Sequence, residues 1–189
     1  MAGNLCNGSP CADSVPPLIA HGARLELASI GTTRWVEAEH FLLAPSQTAL
    51  KPQEILRAIH LPLLPEHAQV AYRSLSARSH VDVSAVSVAT RIALTENRCS
   101  EARIVLGAVG PTPLRAPEAE ALLLGHELSD ELLEAAGQAA AAAARPITDV
   151  RASATWRRDM VAVLARRTIA QAWNQTGYAA SPALGRMMP

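Results

Sequence analysis

Aromatic residues are scarce, with three tryptophans, two tyrosines and one phenylalanine in 189 residues. A stacking platform for nucleic-acid bases needs several rings in one place, whereas Trp35, Trp156 and Trp173 lie far apart in the chain, which favours packing roles. An excess of charge is missing too. Lys+Arg and Asp+Glu each number 17, which removes any general attraction to nucleic acid or to an anionic membrane. The longest apolar runs are too short and too alanine-rich to span a bilayer, so no membrane span is expected.

Cysteine is limited to Cys6, Cys11 and Cys99, fewer than the four thiolates that hold an iron–sulfur cluster. An odd count without a secretory signal reads as a reducing compartment, and a cytoplasmic protein is expected. His21, His40, His60, His67, His80 and His126 never pair at metal-ligand spacing, so no metal site is expected. Ser9 lacks the Gly-x-Ser-x-Gly setting of a hydrolase elbow, and no catalytic side chain is assigned.

The length suffices for one large or two small domains with a real core. Acidic residues cluster between Glu118 and Glu134, and arginines between Arg145 and Arg167. Such blocks read as solvated faces of amphipathic helices. Ser14 is placed to cap a short helix through Val15–Ile19, with Gly22 suited to the left-handed residue that ends it. Arg24–Ile30 alternates with Leu25, Leu27 and Ile30 inward, Gly31-Thr32 marks a turn, and Arg34–Glu37 reads as the return strand.

Pro62 and the breaker-rich stretch to His67 suggest a domain boundary. Beyond it Val86, Val88, Ile92 and Leu94 fall on one face of a strand over 81–94, and Ala102–Val109 reads as its antiparallel partner across a Glu96-Asn97-Arg98 turn. Three helices follow. Pro117 opens one that ends by Gly125; Ser129 with Asp130 and Glu131 starts a second, stopping before Pro146; the third begins near Ser153 and ends by about Trp173, with Trp156, Met160, Val163 and Leu164 at helical spacing. The tail, 174–189, lacks periodicity and is expected to be flexible.

The opening MAGNLCNGSPCADS reads as a small-residue loop leading into a helix. Gly3 and Gly8 allow close backbone approach, and Asn4, Asn7, Ser9 and Asp13 supply donors and acceptors for a polar ligand.

GNLCNGSPCADSVPPLIAHGA resembles the second flavin-contacting loop and following helix of the FAD-binding medium subunit of molybdenum hydroxylases, the family of xanthine dehydrogenase and aerobic carbon monoxide dehydrogenase. FLLAPSQTALKPQEILRAIHLP, YRSLSARSHVDVSAVSVA, LGAVGPTPLRAPEAEALLLG and RPITDVRASATWRRDMVAVLARR resemble further blocks of that family, in the family's order. The resemblance implies an α+β chain: a remnant of the central FAD-binding domain at 1–62, a C-terminal antiparallel sheet with about three helices at 63–173, and the tail.

It also implies an electron-transfer role, with FAD passing electrons from [2Fe–2S] clusters to NAD or a quinone. The partners implied are a molybdopterin-binding large subunit and a [2Fe–2S] small subunit. The family's N-terminal lobe is expected before Met1, so a separate chain carrying it is a further candidate partner. A docking module that has lost FAD is the alternative. By position, the resemblance implies cofactor contacts at Gly3, Asn4, Ser9, Asp13, Leu56, Asp82 and Val83. Ser74 and Ala77 stand where the family usually carries basic residues, and Ala2 replaces a glycine.

Overall fold

The computed structural model describes residues 1–76 and 83–177. The opening segment departs from the loop expected of its composition: Ala2–Cys6 forms a single helical turn, α1. Leu5 N and Asn7 N donate to the carbonyls of Met1 and Gly3, and Leu5 is fully buried beneath the turn. One turn needs only one inward apolar residue, so no periodicity marks it. The second helix, α2 (Val15–His21), starts on Pro16 and Pro17 and ends at Gly22, whose φ of 82° is the left-handed conformation that glycine tolerates.

Two strands, β1 (Arg24–Ser29) and β2 (Thr32–Glu37), form the expected hairpin, and β5 (Ile55–His60) pairs on the other side of β1. Leu25 and Leu27 are buried, whereas Ile30 sits in the two-residue turn and is fully exposed. That corrects its inward assignment. A small ribbon of β3 (Leu42–Ala44) and β4 (Gln47–Thr48) separates β2 from β5 in the chain.

The larger sheet has the order β6–β7–β8–β9, all antiparallel, from β6 (Ala68–Leu75), β7 (Val86–Thr95), β8 (Arg98–Gly107) and β9 (Leu114–Arg115). Glu96 and Asn97 join β7 to β8 with φ of 50° and 62°, the two positive angles of a type I′ hairpin turn. Both faces of this sheet are covered. Val88, Ile92, Ile104 and Leu106 face the helices α3 (Pro117–Leu123), α4 (Asp130–Ala143) and α5 (Ala154–Gln175), while Ala89 and Val105 pack with α2 and Leu25 on the other face. Nine of the ten residues of β7 are therefore buried.

Ser129 Oγ and Ser153 Oγ accept from Leu132 N and Trp156 N, the side-chain caps that start α4 and α5. The buried stripe of α5 is Arg157, Val161, Leu164, Ala165, Thr168, Ile169, Ala172 and Trp173, so Trp156 and Val163 lie beside it and stay partly exposed. Asn174 and Gln175 belong to α5 rather than to a tail, and residues 178–189 of the expected tail lie outside the described residues.

Where α4 crosses α5, a methyl group on Gly137 would come within 2.8 Å of the Ala162 carbonyl oxygen. Alanine at that position gains roughly 1 kcal/mol of helix propensity. Forcing two packed backbones apart costs about 1–3 kcal/mol. Gly137→Ala is therefore expected to lower the midpoint of thermal unfolding, and an unchanged or higher midpoint would show that the crossing relaxes freely.

Candidate functional site

Pro16 and Pro17 make the start of α2 rigid but remove two backbone donors. Val15 N already donates to Ala12 O, and Ser14 N to Asn4 Oδ1 at 3.2 Å. The N-terminus of α2 thus presents no open cluster of N–H groups for a diphosphate.

Polar side chains gather beside it instead. Ser14 Oγ donates to Asn4 Oδ1 at 2.6 Å, which fixes the amide of Asn4 on α1. Asp13 Oδ1 accepts from Tyr72 Oη at 2.9 Å and from Ser84 Oγ at 2.6 Å. Tyr72 lies on β6 and Ser84 just before β7, so one carboxylate oxygen joins the α1–α2 segment to the edge of the larger sheet. Burial, and then the bond to Asp13, push the Tyr72 phenol up to about 12. It therefore remains a donor throughout the neutral range.

Asp13 neither caps α2 nor hangs free. Asn4 and Asp13 each spend one oxygen on the protein, and among the described residues the Asn4 Nδ2 group and the Asp13 Oδ2 atom make no hydrogen bond. Gly3 adds open space, with nothing within 4 Å of where a side chain would begin. An amide donor, a carboxylate acceptor and an unobstructed backbone form a set that fits the hydroxyls and carbonyls of a cofactor such as FAD.

The remaining candidates divide. Val83 is adjacent to Ser84, partly exposed, and so shares this corner. Ser9 Oγ accepts from Cys11 N at 3.2 Å, a local turn contact. Leu56 sits on β5 opposite Leu27, in the core shared by β1 and α2. Asp82 lies outside the described residues. Tyr72 and Ser84 have no chemical motif in the sequence; their part emerges only when β6 and β7 are laid beside Asp13. Burial pushes the Cys6 and Cys11 thiols up, away from thiolate chemistry. Among the described residues no group of three His, Cys, Asp or Glu could hold a metal, and no helix is long and apolar enough to cross a membrane.

Residues 1–64 match the family described as FAD binding domain in molybdopterin dehydrogenase, and residues 70–172 match the CO dehydrogenase flavoprotein C-terminal domain. The chain is 32% identical to the putative xanthine dehydrogenase FAD-binding subunit of Escherichia coli, over 90% of its own length and 59% of that protein. It is 33% identical to the carbon monoxide dehydrogenase medium chain of Afipia carboxidovorans, over 91% and 59%. Carbon monoxide dehydrogenase from Hydrogenophaga pseudoflava superimposes with a TM-score of 0.87 at 31% identity, over 92% of this chain and 60% of that one. Quinoline 2-oxidoreductase from Pseudomonas putida gives 0.85 at 25%, over 93% and 61%. The chain spans about three-fifths of the length of the curated relatives it matches. With both halves matched in the same order and the fold shared, the chain belongs to the FAD-binding medium-subunit family of the molybdenum hydroxylases.

Proposed function

We propose that this chain contributes part of an FAD site to an oxidoreductase complex of the molybdenum-hydroxylase type. The observation that carries the reading is the division of labour at Asn4 and Asp13, where one oxygen of each is held by the protein and the other polar atom stays available. Asn4 Nδ2 would donate to the cofactor, Asp13 Oδ2 would accept from one of its hydroxyls, and Gly3 would let it approach the backbone. Val83 and Asp82 would border the ring, Leu56 would support the site from the core, and Ser9 would hold the loop. FAD, when bound, supplies electron exchange between iron–sulfur clusters on a small partner subunit and an acceptor such as NAD or a quinone. The molybdopterin centre would belong to a large partner subunit, in the cytoplasm. The division between the FAD-site unit and the C-terminal unit is placed at residues 62–63.

Ser74, exposed on β6 where the family usually has lysine, favours a second reading as a docking module without FAD. Released flavin separates the two. After co-expression with the products of the adjacent genes, the purified complex is expected to carry flavin, and Asn4→Asp, which keeps the acceptor for Ser14 but removes the Nδ2 donors, is expected to lower its content several-fold. An assembled complex free of flavin would overturn the first reading in favour of docking.

A further inference from the structure

Helix α2 lies across one face of the larger sheet, and alternate residues of two neighbouring strands form its seat: Arg91, Ala89 and Ser87 on β7, Arg103, Val105 and Gly107 on β8. Its two ends are held differently. At the C-terminal end Arg91 Nη1 donates to His21 O at 3.0 Å and Arg103 Nη1 to Ile19 O at 3.3 Å. These arginines stand directly opposite each other in the β7–β8 register, an unfavourable pairing of like charges. Glu101 lies beside both, and the carbonyl end of α2 takes further donors from each, which pins the helix there.

At the other end the seat is a space rather than a bond. Gly107 does not hold a positive φ, so its backbone suits any residue and its lack of a side chain matters only for close approach. A methyl group there would come within 2.7 Å of Pro16 Cγ, in the first turn of α2, and closer still to the buried Ser87 Oγ. Both contacts lead to Asp13. Pro16 lies three residues after it, and the Ser87 hydroxyl acts on the Tyr72 phenol, which donates to Asp13 Oδ1 at 2.9 Å.

Neither side of that space yields freely. The end of β8 is held through Ala108, whose N donates to Pro10 O at 3.0 Å and whose carbonyl accepts from Arg157 at 2.8 Å. The proline ring is closed onto the backbone of α2, so moving Cγ moves the start of the helix. To reach ordinary van der Waals contact at 3.4 Å it must retreat by about 0.7 Å. With the far end pinned by Arg91 and Arg103, α2 tilts, and Asp13, which lies beyond Pro16, travels at least as far. A binding constellation tolerates only about 0.5 Å. The bond from Tyr72, already 2.9 Å long, would leave the O–H···O range, which ends near about 3.0 Å.

We propose that Gly107 is a positioning residue for the cofactor corner: its missing side chain seats the start of α2 and so sets where Asp13 stands. The inference rests on the reading of that corner as part of an FAD site.

The test uses the complex co-expressed with the products of the adjacent genes, stripped of flavin and titrated with FAD. Gly107→Ala is expected to weaken FAD affinity several-fold in a complex that assembles and keeps its circular dichroism. Adding Pro16→Ala removes the ring that the methyl group meets and is expected to restore most of that loss, while Pro16→Ala alone weakens FAD less than Gly107→Ala does. Gly137→Ala overpacks the α4–α5 crossing, away from α2, and controls for stability: a lower unfolding midpoint with the parent's FAD affinity is expected. Parent affinity in Gly107→Ala, no recovery on adding Pro16→Ala, or an equal loss in Gly137→Ala would each overturn the positioning role. A Gly107→Ala chain too unstable to assemble, and not rescued by Pro16→Ala, would make the space a packing requirement alone and overturn it as well. FAD binding by none of the complexes, the parent included, would instead overturn the FAD reading, and the positioning role with it.

Discussion

Replacing Arg157 with alanine is expected to destabilise the fold more than any other single change on α5. The guanidinium is 2% exposed and donates to Ala85 O at 3.1 Å, to Ala108 O at 2.8 Å and to Asp149 Oδ1 at 2.7 Å. Those partners come from the residue before β7, the residue after β8 and the loop before α5. Ala108 holds a positive φ of 62°, which a residue with a side chain adopts only under restraint. Truncation would leave two buried carbonyls without that donor and remove the cation beside Asp149. Leaving a buried acceptor without its donor costs about 1–3 kcal/mol for each carbonyl, and at about 2–4 °C per kcal/mol for a chain of this size the unfolding midpoint should fall by roughly 10 °C. Arg157→Lys keeps the charge but not the planar fork, so an intermediate loss is expected. A midpoint within a degree of the parent in Arg157→Ala would refute the role.

The same pair makes a prediction about acid. Backbone donation from Arg151, and then the Arg157 guanidinium and Ala152 N, hold the Asp149 carboxyl well below the usual range, at about 2. A depressed folded-state value means the contribution is complete above the ordinary carboxylate value of about 4 and disappears as pH falls from there through about 2. Acid titrations followed by circular dichroism should therefore show a shallower loss of stability in that window for Arg157→Ala than for the parent.

What the sequence reveals depends on whether one element carries its own signal. The hairpin of β1 and β2, the β7–β8 pair, and the three late helices announce themselves through alternation, caps and prolines, and all form, although β7 begins only at Val86, so that 83–85 stay outside the strand expected over 81–94. Strand β6 has no such run of branched residues. It is set by pairing with β7, a long-range contact that local pattern does not encode. The α1 turn is too short for periodicity, and the burial of Arg157 is invisible in a helix whose arginines all look alike on paper. At the candidate site, Asn4 and Asp13 are legible because their block resembles a family motif, but what holds them is not. Tyr72 is 59 positions from Asp13 and Ser84 is 71, so only the folded sheet brings three hydroxyl and carboxylate groups to one corner.

That corner makes the second prediction with a large expected effect. Asp13→Asn keeps an oxygen for Tyr72 and Ser84 while replacing the unoccupied Oδ2 acceptor by a donor. The clamp should persist and stability change little, yet flavin retained by the co-expressed complex is expected to fall at least fivefold. Tyr72→Phe does the reverse: it leaves Oδ2 intact and removes one of the two hydrogen bonds that orient it. A hydrogen bond to a charged group contributes about 1.5–3 kcal/mol when shielded and less when exposed, as Asp13 is. The expected outcome is therefore a modest drop in unfolding midpoint with a several-fold loss of flavin. Because the phenol is raised to about 12, this difference should be flat between pH 6 and 9. Ser84→Ala removes the other donor to the same oxygen, and the doubly substituted Tyr72→Phe/Ser84→Ala chain should lose more flavin than either single variant, because no donor then orients the carboxylate. If Asp13→Asn retained full flavin while Tyr72→Phe destabilised the chain, Asp13 would be a structural tie between the two units and nothing more. If both variants lost flavin with folding intact, the carboxylate would be both a tie and a ligand, with its two oxygens divided between those tasks.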